Sequence, residues 1–166
     1  MNPRHLKDLI ARVLAKMSLF STQALDLLLL TAAQESNLKY LKQLGNGPAR
    51  GLFQMEPDTL ADILKNFLAY RPDLFGLVRI FMTRGIPKEL DLTGNLLFQI
   101  AIARIHYLRV KERIPSRLDF PDDDAGFNEY IMALAQYWKA HWNTDLGAGT
   151  AEEAYDNYFK HIHGRV

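Results

Sequence analysis

The residue of this chain best placed to do chemistry is a carboxylate at the end of an apolar run. Leu27-Leu28-Leu29-Leu30-Thr31-Ala32-Ala33-Gln34 leads into Glu35-Ser36-Asn37, and a carboxyl group leaving such a run is poorly solvated. Poor solvation disfavours the charged form, so the pKa of Glu35 is expected to rise towards neutrality. An acid that keeps its proton near neutral pH can deliver it to a leaving oxygen, which is what a glycosidic general acid does. The competing reading makes Glu35 the first polar residue past a core helix, exposed and inert. Downstream, Gly45-Asn46-Gly47-Pro48 marks a turn-rich loop, followed by Ala49-Arg50-Gly51-Leu52-Phe53-Gln54-Met55-Glu56-Pro57. A helix that delivers an acid, then a loop, then a short Gly-Leu-Phe-Gln segment can set a buried acid beside a groove.

Glu35-Ser36 at a helix end, then Ala49-Arg50-Gly51-Leu52-Phe53-Gln54-Met55 and Pro57, resembles the signature of the soluble lytic transglycosylase and goose-type lysozyme superfamily. The usual form there is Ala-Arg-Gly-Leu-Met-Gln, and Phe53 replaces the Met while keeping an apolar wall. Two motifs in order and at close spacing are more specific than either alone. Asn95-Leu96 followed by Tyr107-Leu108 is similar to the family's Asn-Ile and Tyr-Leu pair. The family's third motif, Ala-Tyr-Asn, has its nearest match in Ala135-Gln136-Tyr137-Trp138, with an inserted Gln and no Asn. Tyr137 is therefore expected either to reach back towards the acid or to be a groove or core aromatic.

The resemblance implies a mainly α, single-domain lysozyme-like fold over residues 1–166. It implies cleavage of the β-1,4 bond between N-acetylmuramic acid and N-acetylglucosamine in peptidoglycan. Glu35 would act as acid and then base, releasing 1,6-anhydro products as a lytic transglycosylase. Ser36 would hold the local geometry, Gln54 would offer an amide to the sugar chain, and Leu52, Phe53 and Met55 would shape the groove or its support. If water is the nucleophile, the enzyme is a lysozyme (muramidase) and needs a second carboxylate. Glu56 and Asp58 are the candidates near in sequence, although acids around Pro57 also suit the first turn of a helix. A third alternative is a structural or cell-wall-binding component of a phage particle that keeps the fold.

Composition narrows the partners. Lys+Arg 20 against Asp+Glu 19 gives a net charge of +1, without the basic footprint of a nucleic-acid binder. There is no cysteine, so neither disulfides nor thiolate zinc sites are expected. The histidines His5, His106, His141, His161 and His163 are scattered; no metal and no cofactor is expected. Arg4, Lys7, Asp8 and Arg12 interrupt any signal-peptide core, and the Leu27 to Leu30 run is too short to span a membrane. A cell-wall enzyme of this kind is expected to leave by a phage particle, a holin or a secretion machine, to meet glycan strands in the periplasm or outside the cell, and to be a monomer.

The elements that must position these residues read as helices. Asn2-Pro3 caps a first helix with Leu6, Ile10, Val13, Leu14 and Met17 on one face. Ser21-Thr22 caps a second that is apolar all round and should be central. Pro57 opens a third carrying Leu60, Ile63, Leu64, Phe67 and Leu68. Residues 71–90 look like an extra helical segment, with a helix over 74–82. Thr93 is expected to cap a long helix from Gly94 with Leu96, Leu97, Ile100, Ala101, Ile105 and Leu108 inward. Asp122-Asp123-Asp124 is expected to start a helix rather than to bind calcium. Thr150-x-x-Glu153 reads as a capping box for the last helix.

Overall fold

Leu27, Leu28, Leu29 and Leu30 are four consecutive residues with no exposed surface, which a helix permits only when protein surrounds it on every side. They belong to α2 (Thr22–Ser36). Around it pack α1 (Pro3–Lys16), α6 (Leu96–Leu108), α7 (Asp124–Trp138) and α8 (Ala151–His161). The computed structural model describes residues 1–143 and 147–166, without the side chain of Asn46. Helix accounts for 66% of the chain and strand for 2%, so the fold is mainly α and forms a single domain. Among the described residues, no helix is long and apolar enough to cross a membrane.

Side-chain caps fix where these helices begin. The Asn2 side chain accepts from the amides of Arg4 and His5, Ser21 from Ala24, and Asp123 from Gly126 at 2.7 Å. Asp123 thus spends its carboxylate on the helix start, as the acidic triplet suggested. The last helix has the full capping box: Thr150 Oγ1 accepts from the Glu153 amide at 3.2 Å, and Glu153 accepts from the Thr150 amide at 3.0 Å. Removing one of two reciprocal bonds at a helix end costs about 1 kcal/mol. Thr150→Ala is accordingly expected to lower unfolding free energy by about that amount, read from urea denaturation. An unchanged midpoint would mean that α8 takes its register from packing alone.

The middle of the chain departs from the expected pattern. The helix opened by Pro57 is α3 (Pro57–Asp62), which widens into a π-type turn at Ile63–Phe67 and tightens at Leu68–Tyr70. This irregular path still buries Leu60, Ile63 and Leu68. The extra segment consists of α4 (Pro72–Arg79) and the short α5 (Lys88–Gly94), so α4 ends before Met82. Thr93 does not cap the long helix. Asn95 does, accepting from the Phe98 amide at 3.1 Å while donating to the Phe81 carbonyl at 2.7 Å. A side chain that joins two segments while capping a third outcompetes a simple Thr cap. Leu97, expected inward, is 40% exposed although Ile100 and Ala101 on its own helical face are buried, so on that face the core does not extend to the first turn of α6.

Candidate active site

Glu35 lies in the last turn of α2, which stops at Asn37 in the left-handed conformation (φ 49°). Successive residues there face different ways. Ser36 is buried, and its hydroxyl donates to the Ala32 carbonyl at 3.0 Å, so it steadies the helix end and does not reach the cavity. Glu35 instead lines a cleft of about 670 Å³. Its Oε1 accepts a hydrogen bond from Trp138 Nε1 at 3.0 Å. Burial pushes its pKa up from the ordinary 4.5 to about 7, and the Trp138 hydrogen bond, which favours the charged form, offsets part of that rise.

The opposite wall comes from the Arg50–Met55 loop. Arg50 and Met55 exchange both backbone hydrogen bonds, at 2.9 and 3.0 Å, and the Gly51 amide donates to the Leu41 carbonyl. The tight turn between them rests on the buried Gln99 of α6, whose Oε1 accepts from the Leu52 amide at 2.9 Å. This geometry sorts the expected site residues. Gln54 and Met55 line the cleft, whereas Phe53 points into the core and is 1% exposed. Phe53 therefore supports the loop from beneath and is not a sugar contact. Gln54 has φ 45°, and its side-chain amide donates to the Gly51 carbonyl at 2.7 Å, which bends it over the loop at the cleft wall. Of the two acids near Pro57, Glu56 lines the cleft and Asp58 lies outside its lining.

Compared with protein-family models, with curated proteins and with solved structures, the chain matches none. What the site can do has to come from its own geometry.

Of its two expected places Tyr137 takes that of a core aromatic, 7% exposed, and does not reach the acid. Its hydroxyl donates to the Glu112 carbonyl at 3.0 Å, and its ring packs against His141 and Tyr107 away from the cleft lining. The next residue, Trp138, reaches the acid instead. Immediately after it the helix widens into a π-type turn, Lys139–Asn143, a feature that often marks functional sites. Trp142 on that turn also lines the cleft, with its ring 4.6 Å from His106.

His106 was not among the expected site residues. Arg109 can only donate, so at 3.1 Å it makes Nδ1 of His106 an acceptor, and Nε2 then carries the proton that goes to the His141 carbonyl at 2.9 Å. Burial pushes the pKa of His106 down to about 4, so it stands neutral in the wall at neutral pH. The cleft thus combines a carboxylic acid poised near neutrality, two indoles and a neutral imidazole. Trp138 is 1% exposed and serves the acid from behind, so the indole face open to a ligand is that of Trp142; with the side-chain amides of Gln34, Gln43, Gln54 and Asn143 in the same lining, the cleft suits a neutral polyhydroxylated ligand. Gln34 at the rim accepts from Asn157 of α8 at 2.7 Å. Among the described residues no group of three His, Asp or Glu could hold a metal ion.

Proposed function

We propose that this chain cleaves the β-1,4 bond between N-acetylmuramic acid and N-acetylglucosamine in peptidoglycan, as a lytic transglycosylase with Glu35 as acid and base. The observation that supports this most is the half-buried Glu35 carboxyl, raised by desolvation to about 7 and held by Trp138 at the wall of the cleft. The resemblance of Glu35-Ser36 and Ala49-to-Met55 to the transglycosylase motifs points the same way.

In the first step Glu35 gives its proton to the glycosidic oxygen, and the N-acetylglucosamine side leaves with a free 4-hydroxyl. The 2-acetamido carbonyl of the muramic residue supports the anomeric carbon as that bond breaks. Glu35, now a carboxylate, takes the proton of the 6-hydroxyl as that oxygen closes on the anomeric carbon, and the acid is regenerated. One carboxyl suffices for both transfers because its pKa lies close to the working pH. Glu56 on the same cleft favours a second reading, in which it helps a water molecule attack and the products are those of a muramidase. Delivery to the cell wall by a phage particle, a holin or a secretion machine, and action as a monomer, belong to the same proposal.

Digestion of purified peptidoglycan with mass identification of the released muropeptides tests this directly. Anhydro-muropeptides are the expected products. Reducing-end products would select the muramidase reading, and no release from folded protein would reject both. Trp138→Phe removes the donor that holds Glu35 down, so the pKa should rise further. Cleavage needs Glu35 protonated at the outset, so activity falls as pH climbs through that pKa. The alkaline limb of the pH–activity profile is therefore expected to move to higher pH in Trp138→Phe. A limb that stays in place would separate Glu35 from the essential ionisation.

A further inference from the structure

We propose that the face built by α4 and the 80–90 connection docks on the surface of an anionic lipid bilayer. A second cleft, of about 520 Å³, opens there and is lined by Arg79, Arg84 and Lys88 together with Ile80, and no carboxylate is among its lining residues. None of the three cations forms an ion pair among the described residues. The carboxylate behind them, Asp91, is 2% exposed, and its oxygens face inward to the Thr83 amide at 2.9 Å and the Asn95 side chain at 3.4 Å. The exposed acids of this stretch, Asp73 and Glu89, lie outside the cleft lining. The whole chain carries only +1, so this cationic concentration is local.

Along the same stretch large apolar side chains stand in solvent: Ile80, in the cleft lining, is 56% exposed, and Ile86 and Leu90, next to the lining residues in sequence, are 40% and 58% exposed. A soluble polyanion would satisfy the guanidinium and ammonium groups and leave these side chains wet. A bilayer satisfies both, with phosphates against the cations and the acyl boundary against the isoleucines and leucine. The face shares no lining residue with the Glu35 cleft, so peripheral docking and cleavage are separable. No spanning segment is needed.

Co-sedimentation of the full chain with extruded vesicles tests the proposal, using phosphatidylcholine alone and phosphatidylcholine with about 30% phosphatidylglycerol. The protein is expected to pellet with the anionic vesicles, to stay in solution with the neutral ones, and to be released as salt is raised. Each cation near such a surface contributes about fivefold, so Arg79→Ala/Arg84→Ala/Lys88→Ala should lower the partition coefficient on the order of a hundredfold. Ile80→Ser/Ile86→Ser/Leu90→Ser should weaken it too. The substituted side chains are wholly or partly solvent-exposed, and matching thermal unfolding curves confirm that the variants fold. No preference for anionic vesicles, or binding that survives the charge substitutions or high salt, would overturn the proposal. Full binding by the serine variant would overturn the apolar contact with the acyl boundary and leave phosphate contacts alone.

Discussion

Replacing Glu35 with Gln is expected to reduce muropeptide release by about a thousandfold, in line with the loss of a positioned general acid, and to stabilise the protein at the same time. The two effects share one cause. Burial raises the Glu35 pKa from 4.5 to about 7, so the folded protein binds this proton more tightly than the unfolded chain does. Below about pH 4.5 the group is protonated in both states and costs nothing. Between 4.5 and 7 the unfolded state ionises first, and stability falls as pH rises; above about 7 the penalty is complete. A shift of that size corresponds to about 3 kcal/mol as an upper figure. Gln cannot ionise, and its amide oxygen can still accept from Trp138. Glu35→Gln should therefore match the wild type near pH 4 and exceed it by about 2–3 kcal/mol near pH 8 in urea denaturation. Equal stability at both pH values would show that the carboxyl is solvated in the folded protein.

The second large effect is expected at Gly51. Its φ is +76°, and a Cβ built there lies 2.6 Å from the Gln99 side-chain amide and closer still to the Leu92 carbonyl oxygen. Ala at this position meets a left-handed backbone, at about 1 kcal/mol, and an overpacked contact that adds about 1–3 kcal/mol. Gly51→Ala should lower unfolding free energy by about 2–4 kcal/mol and loosen the Gln54–Met55 wall of the cleft. Gly45 is the control. Its φ is +77° but nothing lies within 4 Å of its added Cβ, so Gly45→Ala should show the backbone penalty alone. If both substitutions cost the same, the Gly51 turn is not pressed against Gln99.

The local rules that place helices were readable in the residues. Asn2, Ser21, Asp123 and Thr150 cap where their side chains suggest, and Leu6, Ile10, Val13, Leu14 and Met17 are all buried. Glu35 was legible for the same reason, since an acid after seven mostly apolar residues has a desolvated environment written beside it. The errors arise where rotation about a helix or competition between caps decides. Tyr137 and Trp138 differ by one residue, roughly 100° round the helix, and the sequence does not fix which of the two faces the acid. Trp142 enters the wall through a π-type turn, a change of pitch that a regular helical pattern conceals. His106 takes its tautomer from Arg109 and its proton acceptor from His141, three and thirty-five residues away. The cap at Asn95 prevails over Thr93 through contacts with Asp91 and, fourteen residues away, with the Phe81 carbonyl, and the second of these no local pattern shows.

The central claim is that the fold makes Glu35 a proton donor near neutral pH. Titration of its carboxyl carbon by NMR, assigned by its disappearance in Glu35→Gln, measures this without a substrate. A midpoint near 7 is the predicted result. A midpoint near the ordinary 4.5 would leave Glu35 ionised at neutrality and contradict its role as the acid.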